Sequence, residues 1–349
     1  MIMPPGRINS HTTPANKRRH FVTKWGGLRR ANALVVCSAA AALALLFTTS
    51  AYADCDVGNR IFATTLSIDD PCVDDELSFS IARFKNGDNP SATEWDLPGE
   101  YFKSITENFG VSVEDAWISR QVPRADAHEG FDNLTTSLLY EFIRDAHDEV
   151  VMSVALDVSW GGTGSRAVGA EPFTTLTPTW LFAKGFVFLP ESIKLLRPFG
   201  VTAQLGYSFP AESSAVLDNG SGLLLTARNP QFLVWGGSLQ YSMPYLKSYV
   251  EDFGLPGLFN HLVPIVEVSL ETQTGNFDGG AITTGTISPG VFYQTDKYQF
   301  GVEAIIPVNR ASGDGTGVVA NVHFYLENIF PNSIGKPLFG VASTEEESR

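Results

Sequence analysis

The sequence predicts an all-β fold: a transmembrane, antiparallel, up-and-down β-barrel of ten strands, with twelve as the alternative. Three observations carry this expectation. The chain opens with an export signal. Its later segments alternate apolar and polar residues with period two. The gaps between those segments alternate in length and character.

The export signal is read as residues 1–53. Arg29 and Arg30 precede an uncharged apolar run from Leu34 to Phe47, and Ala51-Tyr52-Ala53 supplies a small-residue cleavage site before Asp54. The run falls short of the roughly 20 apolar residues that a spanning helix needs. An uncleaved amphipathic anchor is the rival reading. Seven of the 24 Lys+Arg and none of the 38 Asp+Glu lie in the signal, which leaves 17 bases against 38 acids and a mature net charge of −21. So acidic a surface argues against nucleic acid as a partner. Cys37 leaves with the signal. Cys55 and Cys72 remain as an even pair in an oxidising compartment, which favours a disulfide pinning the mature N-terminus, with lipidation of Cys55 as the alternative.

Period two is clear in several segments. Val150, Met152, Val154, Leu156, Val158 and Trp160 form one face of the first, against Val151, Ser153, Ala155, Asp157 and Ser159. Val201, Ala203, Leu205, Tyr207 and Phe209 oppose Thr202, Gln204, Gly206 and Ser208. Tyr298 to Ile306 and Val318 to Leu326 repeat the pattern. Soluble sandwiches alternate as well. The length of the segments and the aromatics near their ends (Trp117, Trp160, Trp180, Trp235, Tyr207, Tyr241, Tyr293, Tyr298) favour a membrane barrel with interfacial girdles.

Strands are expected near 108–119, 131–144, 148–160, 173–183, 199–209, 231–242, 262–272, 283–295, 297–308 and 316–327. The gaps 120–130, 161–172, 210–230, 273–282 and 309–315 read as external loops, and the gaps between them as tight turns or short helical insertions on the periplasmic side. Tyr245–Phe253 and Pro190–Leu196 are the insertions. An even strand count leaves both termini periplasmic. The barrel is thus 108–327. Residues 54–107 form an N-terminal periplasmic or plug segment, in which Leu77–Phe84 reads as a strand and Glu100–Glu107 as the start of a helix, or else add two strands to make twelve. Residues 328–349 read as a loose tail.

Pro264-Ile265-Val266-Glu267-Val268-Ser269-Leu270-Glu271, Ile287-Ser288-Pro289-Gly290-Val291 and Tyr298-Gln299-Phe300-Gly301-Val302-Glu303-Ala304 give the stretch 264–340 a family likeness. It resembles the outer-membrane proteins grouped under the putative MetA pathway of phenol degradation. The resemblance implies a transporter-like barrel associated with aromatic compounds, and it supplies no binding residues.

Parity places Glu114, Glu141, Asp157, Gln204, Gln240, Glu267, Ser269, Glu271, Glu303, Asn321, His323 and Glu327 on the inner face. Such a lumen would favour cations, unless its carboxylates are solvated or paired with Arg120, Arg124, Arg166 and Arg310. The expected function is passage or uptake of small molecules, hydrophobic or aromatic or else cationic, across the outer membrane of a Gram-negative bacterium. A closed structural or adhesion barrel is one alternative. A lipid-acting hydrolase using His323 with Ser269 or Ser238 is the other, although no G-x-S-x-G elbow occurs. His128 and His147 stand near acids at no specific ligand spacing. The reading is therefore no enzyme, no metal and no cofactor, with outer-membrane lipids, the barrel assembly machinery and an unidentified solute as partners.

Overall fold

The computed structural model describes residues 55–86, 92–124, 126–218, 224–275 and 281–340. The expected export signal lies outside the described residues.

A short hairpin comes first, β1 (Asp56–Val57) with β2 (Arg60–Ile61). The strands that follow are β3 (Glu76–Lys85), β4 (Thr93–Thr106), β5 (Phe109–Gln121), β6 (His128–Phe131), β7 (Thr135–Asp145), β8 (Val150–Ser159) and β9 (Thr175–Gly185). After them come β10 (Phe199–Pro210), β11 (Ser214–Asp218), β12 (Leu224–Arg228), β13 (Gln231–Tyr241), β14 (Leu262–Gly275), β15 (Thr283–Gln294), β16 (Tyr298–Pro307) and β17 (Gly317–Tyr325). Every pairing is antiparallel, and β17 joins β3 from Val318↔Arg83 to Tyr325↔Glu76. The sheet therefore has no free edge. Among the described residues twelve strands form the barrel, β6 adds to β5 at the rim, and β11–β12 is a separate hairpin in a loop.

Side-chain alternation explains why these segments close into a barrel rather than a sandwich. On β16, Phe300 and Val302 are exposed, at 50% and 52%, while Gln299 and Glu303 on either side of them are buried, Glu303 at 1%. The same inversion runs round the wall. Phe79, Ile81, Val154, Leu205, Leu239 and Val266 face out, and Ser153, Gln240, Glu267 and His323 face in. A soluble sheet buries its apolar face; this one displays it, as a wall solvated by lipid does.

All ten expected strands are present, and the count of ten is corrected to twelve. The two additional strands are β3 and β4, so the barrel begins at Glu76 rather than near residue 108. The helix expected from Glu100 is instead the second half of β4, which pairs with β3 on one side and β5 on the other. Pro98-Gly99 interrupts the alternation there. At Gly99 a Cβ would stand 3.1 Å from the Phe79 ring, a tight approach that glycine avoids. The final strand stops at Tyr325, and the tail is not loose over its described part. Leu326–Ile329 forms a helical turn, and Leu338 and Phe339 donate backbone hydrogen bonds to the Ser104 and Ile105 carbonyls.

Connections 107–108, 146–149, 186–198, 242–261 and 295–297 gather at the end where β3 begins and β17 stops, the termini end, and those that follow β3, β5, β8, β10, β14 and β16 at the other, the loop side. The helical insertions are a 3₁₀ turn at Glu191–Leu196, within the expected Pro190–Leu196, and, in place of the helix expected over Tyr245–Phe253, an α-turn at Met243–Tyr245 running into a π-turn at Leu246–Val250. No helix among the described residues is long and apolar enough to cross a membrane.

A charge on the outer wall tests this arrangement. Val302→Arg should destabilise the barrel in lipid vesicles by about 2–4 kcal/mol, the cost of a basic side chain near the bilayer midplane. Denaturant unfolding followed by heat-dependent gel mobility measures it, and an unchanged midpoint would contradict a lipid-facing Val302.

Candidate functional site

Residues 55–75 occupy the lumen from the termini end. Cys55 and Cys72 are joined by a disulfide and pack with Val57 and Phe62 against Val151 of β8 and Ala183 of β9. Ala63 and Leu66 rest on Val263, Ile265 and Phe292 of β14 and β15. Val73 meets Leu139, Ala155, Leu181 and Phe102. The β1–β2 turn passes through Gly58 at φ +70°, where a Cβ would lie 2.2 Å from the Ala146 carbonyl oxygen. This segment is a plug.

Most of the plug is irregular, so its backbone groups need partners that a strand or helix would have supplied. The wall supplies them. Ala63 N–H donates to Gln240 Oε1 at 2.8 Å, and Asp69 N–H to Gln204 Oε1 at 2.8 Å. Glu267 accepts from Leu66 N–H at 2.9 Å and Ser67 N–H at 2.7 Å. Gln299 Nε2 donates to the Thr64 carbonyl at 2.8 Å, and the Ser153 hydroxyl to the Pro71 carbonyl. Asp75 closes the segment, accepting from Lys103 Nζ, Ser104 N–H and Ser104 Oγ.

The strongest single latch is Arg60. Its Nε donates to Glu149 Oε2 at 2.9 Å, with both side chains 1% exposed. Its other nitrogens donate to the Pro198 and Arg197 carbonyls, and its guanidinium lies 4.3 Å from the Tyr245 ring centre. Gly185 makes room for the pair, since a Cβ there would stand 1.9 Å from Glu149 Oε2. Arg144 adds a bidentate contact to Glu141 and reaches the Asp56 carbonyl.

The residues expected on the inner face separate into groups. Gln204, Gln240 and Glu267 hold the plug, as does Glu141, whose Oε2 accepts from Val73 N–H at 3.4 Å. Glu303 lies beside Glu267, its side chain crossing the space that Gly290 leaves open. Asn321 donates to Ser80 Oγ and the Phe79 carbonyl across the closing seam. His323 stands 3.1 Å from Glu76 and against the Tyr325 ring, while Ser238 bonds the Thr202 hydroxyl elsewhere on the wall. Glu114, Asp157 and Glu271 line the lumen on the loop side of the plug, Asp157 accepting from Ser137. Glu327 is placed differently: it sits in the helical turn after β17, not on the wall. Of the arginines expected to pair with lumen acids, Arg120 does so, 2.6 Å from Glu94.

Sequence periodicity missed Arg60, Asp69, Asp70 and Asp75, because an irregular segment carries no period. It missed Glu94, Asp96 and Glu100 because Pro98-Gly99 obscured β4, and Glu76 because it opens β3 just before the stretch that reads as a strand. Asp69 tops the plug and sits within the field of Asp157, Glu100 and Glu114; enclosure first, and then these charges, hold its carboxyl above the usual range. Burial also pushes Asp70 up to about 7, with the Glu76 charge adding to it and the Cys72 N–H opposing it. At the turn beyond β7, potential ligand atoms of Asp145, His147 and Asp148 lie within 4.8 Å of one another, all exposed.

No protein-family model matches the chain, and no curated protein matches it. Among solved structures it is similar to the NanC porin, at 8% identity and a TM-score of 0.42, over 71% of this chain and 98% of that one. It is similar to the beta domain of the Bordetella autotransporter BrkA, at 11% identity and 0.43, over 72% and 99%. LpxR from Salmonella typhimurium follows at 14% and 0.37, over 72% and 99%.

Two outcomes are expected. Arg60→Met strands the Glu149 charge and should loosen the plug by about 3–5 kcal/mol, whereas Arg60→Met with Glu149→Leu should recover most of that loss. Protease protection of residues 55–75 in the folded barrel reads both. The pH dependence follows from Asp70: a carboxyl whose pKa is raised in the seated state binds its proton more tightly there. Plug protection should therefore fall as pH rises from about 4 towards 7, with Asp69 carrying the fall on to about 8, and Asp70→Asn should flatten the part below 7.

Proposed function

We propose that the chain is an outer-membrane barrel that passes or takes up a small solute, with residues 55–75 blocking the path until they move. The apolar outer wall, the edgeless sheet and the interfacial aromatics support the membrane placement, since only closed barrels and helices satisfy their backbone in hydrocarbon. The observation that carries the solute reading is a vestibule on the loop side. Glu271, on the inner face of β14, and Asp69, at the head of the plug, keep accessible surface even though the barrel encloses them, so this half of the lumen admits solvent down to the plug.

The vestibule is acidic. Glu100, Glu114, Asp157, Glu271 and Asp69 belong to it, and Arg120 is taken by Glu94. Low-dielectric walls focus that field and concentrate cations at the mouth. A small cation is therefore the first solute class. A hydrophobic or aromatic solute, suggested by the resemblance over 264–340, is the second. The buried Arg60–Glu149 pair favours another reading, a permanently closed structural barrel.

Conductance in planar bilayers separates them. The full chain should be mostly closed with rare openings. Arg60→Met/Glu149→Leu should raise open probability at least several-fold, with currents carried by cations over anions. If both proteins stay silent and neither admits solute into vesicles, the structural reading replaces this one.

A further inference from the structure

The outer wall is largely apolar but not smooth. At the termini end, Phe186, Phe188, Leu189, Leu196, Phe199 and Leu239 line a cavity of about 400 Å³ without a polar residue among them. Leu239 also borders a second hollow of about 530 Å³, where Gly237 leaves a gap between Trp235, Val266 and Val268. The two hollows adjoin at Leu239 and together mark a shallow line, the groove, up the wall.

Its length matches a leaflet. From Tyr241, at the level of Phe199, to Trp235 is six strand positions, or roughly 20 Å at about 3.3 Å per residue. On strands tilted by about 45° that is roughly 14 Å of depth, about half of a 30 Å hydrocarbon core. At the mouth stand an aromatic pair and a base. Phe199 and Tyr241 meet edge to face at 4.8 Å, and the Tyr241 hydroxyl donates to the Leu195 carbonyl. Lys184 Nζ lies 5.3 Å from the centre of the Phe188 ring and donates to the Asp148 carbonyl, an arrangement that uses one of its three ammonium hydrogens. Of the bases on the neighbouring turn, Lys194 pairs with Glu191 and Glu251, and Arg197 with Glu191.

We propose that this groove is a site for one phospholipid of the leaflet on the termini side, with an acyl chain lying from Phe188 to Trp235 and the phosphate against Lys184. The occupant is argued from continuity: the groove is cut into the lipid-facing wall itself, so what covers it in a bilayer is hydrocarbon. Charge complementarity at the rim selects a chain that carries a phosphate. The inference rests on the membrane-spanning reading above.

Native mass spectrometry of the purified barrel in detergent, titrated with phosphatidylethanolamine and with phosphatidylglycerol, tests it. The unaltered protein should hold one lipid tightly. Leu239→Trp, which fills the groove, should weaken that adduct at least tenfold, and Lys184→Gln at least several-fold. Val302→Trp, on a distant part of the wall, should leave it unchanged. Heat-dependent gel mobility establishes that each variant is folded. Equal adducts in all four proteins, or none, would overturn the site. Loss in Leu239→Trp but not in Lys184→Gln would overturn the headgroup position. A barrel that does not insert into vesicles overturns the membrane reading instead, whatever its lipid adducts.

Discussion

Everything in this structure depends on the pairing of the last strand with the first. Hydrocarbon offers no hydrogen-bond partner, so each wall N–H and C=O must be satisfied within the sheet. The eight registered pairs between Val318–Tyr325 and Glu76–Arg83 remove the edges that an open sheet would expose. With closure come two environments, lipid outside and lumen inside, and the period-two pattern is their direct record. Val302 beside Glu303 makes sense only with both present.

The same constraint reappears inside. A segment without regular structure fills the narrow end of the lumen, and its backbone must be satisfied there as fully as the wall is. Amides and carboxylates on β10, β13, β14 and β16 act as substitutes for a neighbouring strand, and glycines such as Gly185 clear the volume for the bulkiest contact. Among the described residues the loop-side half has no such filling: Glu94 and Asp157 there pair with side chains, and Glu271 is exposed. One lumen thus carries two kinds of carboxylate: Glu267 is spent on structure, while Glu271, one turn of the pleat pair further along, is left to the solvent.

Much of the wall was legible in the sequence because alternation over ten residues is imposed by the two solvents. The ten segments from 109 to 325 show it, and so do the inward positions of Gln204, Gln240, Glu267 and Glu303. Strand β4 was not legible, because Pro98-Gly99 replaces side chains that would mark a face, and Tyr101-Phe102 then mimics helical spacing. The plug was legible only as something other than strand. Its role is written in tertiary pairings such as Arg60–Glu149, separated by 89 positions, for which no local pattern exists. The tail was misread for a related reason: its anchors, Lys103 and Ser104, lie over two hundred residues upstream.

The chain order of these parts has a consequence for how the molecule comes into being. The plug precedes the first wall strand, and the seam that closes the cylinder joins residues as far apart as Glu76 and Tyr325. A ring sealed by so distant a contact closes slowly, since the cost of loop closure must be met before pairing rewards it. Whatever is to lie within it has to be in position while the seam is still open. The contents of the lumen are therefore chosen during assembly, and the time available for that choice is the lifetime of the unsealed ring.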